Sequence, residues 1–130
     1  MMSRPHYYDA YGRPTDLEGV AAFYERPERI IEQTLVDTLT GALMVSTVAL
    51  GIDHGFHTKG PLIFETMVFF VDVSGEWTMS ELYADRYSTR AGAYVGHAHV
   101  LYALRGLRKF FWRRALNALR PLWGQDWGIA

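Results

Sequence analysis

The chain has 130 residues, of which 49% are apolar, 15% aromatic and 21% charged, with a net charge of −1. That balance fits one globular domain and excludes a disordered chain. The absence of cysteine excludes disulfides, thiolate metal sites and cysteine nucleophiles.

At this length folding buries roughly two-thirds of the surface of the unfolded chain, enough for a core without staples. The first segment, MMSRPHYYDAYGRP, reads as an extended arm. It lacks the apolar stretch of a secretory signal, and no run reaches the roughly 18–20 apolar residues of a membrane span; a cytoplasmic protein is expected. Thr15 followed by Glu18 has capping-box spacing and predicts a helix from there to about Arg26, ended by Pro27. Pro27 suits the first position of a further turn.

Strands are predicted over 30–39, 42–52, 62–73 and 77–87. Turns at Thr40-Gly41 and Ser74-Gly75 and a loop over 53–61 join them. A helix over 27–40 competes with the first strand, because Ile30, Ile31, Leu35 and Leu39 also fit a helical stripe. Ser88 is placed to cap a long helix whose apolar face is drawn from Tyr94, Ala98, Leu101, Arg105 and Arg108, with Ala91, Val95, Tyr102 and Leu104 beside them. Gly106 is a plausible hinge in it. The predicted class is therefore α+β: a four-stranded antiparallel β-meander, preceded by a short helix and packed against a long C-terminal helix. Residues 1–106 form the core domain with its arm, and 107–130 a basic aromatic helix or tail.

Centring the 53–61 loop near His57 pairs Val48 with Thr66 and Ala49 with Glu65. A one-residue slip reverses every side chain. In this register the even-numbered residues of both central strands form the drier face and lie under the C-terminal helix. The odd-numbered face gathers Thr47, Ala49 and Gly51 around Glu65, and the small residues beside a carboxylate mark a candidate ligand site. Its expected members are Thr47, Asp53, His54, Glu65 and Arg86. An unpaired buried carboxylate is costly, so Glu65 either pairs with Arg86 or Arg90 or faces a polar ligand.

Asp53, His54, His57, Glu65, His97 and His99 are of metal-ligating type. His97 and His99, however, stand about 200° apart around a helix, and no HExxH-type spacing occurs. Ser46 and Thr47 lie in no nucleophile elbow, and no phosphate-binding glycine pattern is present. No catalytic residue, metal or cofactor is therefore assigned. A metal-assisted hydrolase using His54, Glu65 and His97 remains the alternative.

Charge is divided along the chain. Residues 1–104 carry 13 acidic and 7 basic side chains, whereas 105–130 carry six basic and one acidic. The tail LRGLRKFFWRRALNALRPLWGQDWG mixes these cations with aromatics. Arg108, Lys109, Phe110, Phe111, Trp112 and Arg113 are the expected partner-binding residues, since arginine and aromatics anchor protein contacts. Membrane or nucleic-acid contact by the same segment is the less favoured reading.

The segments YYDAYGRP, VSTVALGIDHGF, GPLIFETMVF and DRYSTRAGAYVGH resemble those of a family of small proteins from phages, prophages and some bacteria. Relatives read like YYDxxGxP, VSTVxLGxDH, PLLFETMVF and RYSTxxxAxxGH. The resemblance spans residues 7–97 and falls on Ser46, Thr47, Gly51, Asp53, His54, Glu65, Thr66, Arg86, Tyr87, Ser88, Thr89 and His97. This chain departs at His57-Thr58-Lys59, where relatives carry a glycine-rich loop, and in its longer basic tail. The resemblance implies a setting, the host cell cytoplasm, and no mechanism. The expected function is that of a small accessory protein acting by stoichiometric binding, inhibiting a host defence protein or sequestering a small signalling ligand. Its partner is a protein or a small polar ligand, and self-association into a homo-oligomer is expected. A virion or assembly component is a further alternative.

Overall fold

The computed structural model describes residues 4–38, 41–55, 58–78 and 81–106. Helix α1, Leu17–Phe23, is capped by Asp16, whose carboxylate accepts from the Gly19 N–H at 2.8 Å; the cap lies one residue beyond the expected Thr15. A single 3-10 turn, Pro27–Arg29, opens on the proline. Strands β1 (Ile30–Asp37), β2 (Ala42–Ala49), β3 (Phe64–Val71) and β4 (Tyr83–Tyr87) follow in chain order as one antiparallel sheet. Helix α2, Arg90–Gly106, packs across one of its faces. Thr89, not Ser88, caps α2, its hydroxyl accepting from the Gly92 N–H at 2.9 Å.

The architecture is thus the α+β meander that the pattern predicts, and the competing helix over 27–40 is not formed. The fourth strand is shorter than expected. Before it, the chain meets β3 through the Trp77–Val71 bridge, the Thr78 N–H to the Phe70 carbonyl and the Leu82 N–H to the Val68 carbonyl.

The register of the central hairpin differs by one residue. Val48 faces Glu65, Thr47 faces Thr66 and Ala49 faces Phe64. The cause lies in the N-terminal arm. Tyr8 donates to the Gly51 carbonyl, Tyr7 bridges Ile52, and the Asp53 N–H donates to the His6 carbonyl. These pairings draw residues 51–53 out of the hairpin ladder, so the loop is not symmetric about its middle. Gly51 turns the chain there at φ +80°, and Val20 and Phe23 of α1 pack where a side chain would stand. Even-numbered residues of β3 do lie under α2, but for β2 it is the odd-numbered ones.

On the α2 side, Ala49, Phe64 and Tyr87 form one row, Thr47, Thr66 and Asp85 the next, and Thr34, Val45, Val68 and Tyr83 a third. The buried stripe of α2 is Gly92, Ala93, Gly96, His97, Val100 and Leu104. Of the expected face, Leu104 is buried, whereas Tyr94, Ala98 and Tyr102 are exposed. Small residues win the buried face because the ring of Tyr87 presses against Gly96, where a Cβ would collide with it. Core residues fall into two clusters. One holds Tyr8, Val20, Phe23, Phe64 and Tyr87, and the other Leu43, Val45, Val68, Tyr83, Val100 and Leu104.

Candidate functional site

The expected site residues are divided among three places. Thr47 lies under α2, fully buried. Its hydroxyl stands 2.7 Å from His97 Nδ1 and 2.5 Å from the Thr66 hydroxyl. His97 Nε2 lies 2.9 Å from the Thr34 hydroxyl and 3.1 Å from Glu32 Oε2. One proton arrangement satisfies the chain of contacts from end to end. A neutral His97 donates from Nε2 to the Thr34 hydroxyl, with the Glu32 carboxylate beside it, its Nδ1 accepts from Thr47, and Thr47 accepts from Thr66. Burial pushes the His97 pKa down; Glu32 opposes this and Arg105 adds to it. The three side chains Thr47, Thr66 and His97 are sealed from solvent, so this network specifies how α2 seats on the sheet and does not face a ligand.

Asp53 closes the loop. One carboxylate oxygen accepts from the Gly55 and Leu62 N–H groups at 2.7 and 3.0 Å, and the other from Arg4 Nε at 2.6 Å. Arg4 also donates to the carbonyls of Gly55 and Thr58. Burial raises the Asp53 pKa, but the Arg4 and backbone hydrogen bonds outweigh it and hold the carboxyl below its usual value. Its geometry is that of a clamp between loop and arm. The partner Arg4 lies 49 residues away in sequence, and no local pattern announces it. His54 is exposed beside this clamp, and His57 lies outside the described residues.

Glu65 and Arg86 occupy the other face of the sheet, directly opposed on β3 and β4. Arg86 Nε donates to Glu65 Oε2 at 2.8 Å; the Glu65 side chain is 5% exposed and that of Arg86 43%. The arginine thus lies over the carboxylate and satisfies it, while its other nitrogens make no hydrogen bond among the described residues. Around the pair is a cleft of about 390 Å³, lined by Leu62, Glu65, Met67, Glu81, Ala84 and Arg86.

This face reads in rows. Ile30, Val48, Glu65 and Arg86 form one; Gln33, Ser46, Met67 and Ala84 the next; Leu35, Met44 and Phe69 a third. Gln33 donates to the Ser46 hydroxyl at 3.0 Å. Trp77 lies against Phe69 in a tilted arrangement, ring centroids 5.5 Å apart. No described helix packs here. Ile30, Leu35 and Trp77 are exposed apolar groups on or beside this face. The row pattern of Leu35, Met44, Phe69 and Trp77 was visible as apolar residues in the strands, but only the true register gathers them.

His54, Glu65 and His97 are not brought together: Glu65 and His97 lie on opposite faces of the sheet and His54 at the loop. Among the described residues, no group of three His, Asp or Glu side chains stands ready to hold a metal ion, and no helix is long and apolar enough to cross a membrane. The expected partner-binding residues Arg108, Lys109, Phe110, Phe111, Trp112 and Arg113 lie outside the described residues. No family model matches the chain, and no similar protein was found among curated proteins or solved structures.

Proposed function

We propose that the chain is a stoichiometric binding protein whose open sheet face, centred on Glu65 and Arg86, receives a protein partner. One observation carries this reading. A buried carboxylate with a half-exposed arginine over it sits in a cleft, on a face that also leaves Leu35 and Trp77 in water. A layer of sheet gains stability by covering its apolar side chains, and α2 covers only one side. Arginine and tryptophan surrounded by apolar groups are also the residue types that anchor protein interfaces. The resemblance to small phage and prophage proteins implies only a setting, the host cell cytoplasm, and the role proposed there is that of an accessory factor that occupies a host protein.

A small polar ligand in the cleft is the second reading, favoured by the Arg86 nitrogens that no described residue engages. Native mass spectrometry of the full chain recovered from cells carrying its gene separates the two. A protein bound at fixed stoichiometry to the wild type, and absent from Trp77→Glu and Arg86→Ala chains, is the expected result. A bound small molecule in place of a protein supports the second reading. A partner retained by both variants contradicts the placement on this face.

A further inference from the structure

A second cleft, of about 310 Å³, lies between the N-terminal arm, α1 and the 3-10 turn that follows it. Asp9 and Arg13 of the arm, Thr15 and Phe23, and then Arg26 and Glu28 line it. It shares no lining residue with the cleft around Glu65 and Arg86, and a ligand here is independent of a protein on the open face.

The charged groups of this cleft are not equally committed. Asp9 is saturated. Its Oδ1 accepts from the Tyr11 and Arg13 N–H groups at 2.9 and 3.0 Å, and its Oδ2 from Arg13 Nε at 2.9 Å. Arg90, beside the cleft, ties the arm to the 3-10 turn by donating to the Ala10 and Glu28 carbonyls, and it lies over the Tyr11 ring. The Glu28 side chain has no such commitment. Neither of its carboxylate oxygens accepts a hydrogen bond from a described residue, and Oε2 is sealed from solvent. A carboxylate held in that way is expensive, because it has lost water without gaining a donor or a cation. Arg26 is exposed and makes no hydrogen bond or ion pair with a described residue. Arg13 commits only its Nε, so both of its terminal nitrogens stay free of described partners.

We propose that this cleft binds a small zwitterion, with the chemistry of a free amino acid, its ammonium on Glu28 and its carboxylate on Arg26 and Arg13. An ammonium brings both things that Glu28 lacks, N–H donors and a compensating charge. A carboxylate matches the planar fork of a guanidinium. The volume is at the small end of the range for ligand pockets, roughly 300–1,000 Å³, and suits a molecule of that size. Phe23, buried in the wall, offers an apolar surface to the remainder of the ligand.

The test is an amide-resolved titration of the isotope-labelled full chain with a panel of free L-amino acids at millimolar concentration. Each is paired with its N-acetyl derivative and with the amine that lacks its carboxylate. The expected result is saturable shifts at Tyr11, Gly19, Arg26 and Glu28 with one or more free amino acids, and far weaker binding of the blocked and truncated forms. Glu28→Gln, neutral and of the same shape, should weaken that binding by about tenfold or more while its thermal midpoint holds or rises. Arg26→Ala, at an exposed side chain, should weaken it likewise and carries the test if Glu28→Gln does not fold. The proposal is overturned if no free amino acid shifts those amides, or if a blocked or truncated form binds as tightly as its parent. Shifts centred on Glu65 and Arg86 overturn it too, since they move the ligand to the open face. A lower midpoint for Glu28→Gln with binding intact would make Glu28 a group that serves the fold alone, and would equally end the proposal.

Discussion

Arg86 and Glu65 are not equivalent members of their pair. The carboxylate is buried and the guanidinium nearly half in water, so deleting one leaves a very different remnant from deleting the other. Glu65→Gln leaves an arginine that water can solvate and keeps a hydrogen-bonding side chain beneath it; about 1 kcal/mol of stability should be lost. Arg86→Ala leaves a buried carboxylate without its cation and should cost more, about 3 kcal/mol. Denaturant midpoints for the two variants check the order. A larger loss for Glu65→Gln would mean that Arg86 depends on the pair more than its exposure shows. His97 offers a second residue-scale test. Its pKa is lowered from 6.5 in the folded chain, first by burial, so below pH 6.5 the unfolded chain takes up a proton that the folded chain resists. Stability is therefore retained above pH 6.5 and lost as pH falls below it, with a slope of at most about 1.4 kcal/mol per pH unit. In His97→Asn that slope should disappear between pH 6.5 and 5.5, while a persistent slope would assign it to other groups.

Among the elements, α2 shows how closely a helix approaches when small residues permit it. Gly96 lies against the Tyr87 ring with no room for a Cβ. Alanine there gains up to about 1 kcal/mol of helix propensity but overpacks the contact, which typically costs about 1–3 kcal/mol. Gly96→Ala should destabilise the chain on balance, by a lower midpoint in urea with an unchanged slope. A stabilised variant would show that the helix shifts freely. The same helix explains what was and was not legible in the sequence. Alternating β-branched and aromatic residues, together with turn dipeptides, mark the four strands, and the 3.6-residue pattern marks the helix. The buried stripe was misread because glycines and a histidine carry it, and apolar periodicity ranks those below Tyr94 and Leu101. The register was misread because the arm pairs with residues 51–53, a contact between segments more than 40 residues apart. Glu65 and Arg86 could be paired from their types, whereas the sealing of Thr47 beneath His97 depends on that register and could not.

At the scale of the whole molecule, the described residues clothe the sheet on one side and leave the other open. The clothed side spends its polar groups on itself: Thr34, Thr47, Thr66 and His97 satisfy one another. The open side keeps an arginine, a cleft and an apolar row available. That asymmetry is why binding is proposed for the open face. The most direct test is site-specific photo-crosslinking in cells carrying the gene, with a benzophenone side chain at Ala84 in the cleft or at Tyr102, 82% exposed on the outer side of α2. The account predicts a discrete adduct to one protein from position 84 and none from position 102. An adduct from position 102 with none from position 84 would contradict it.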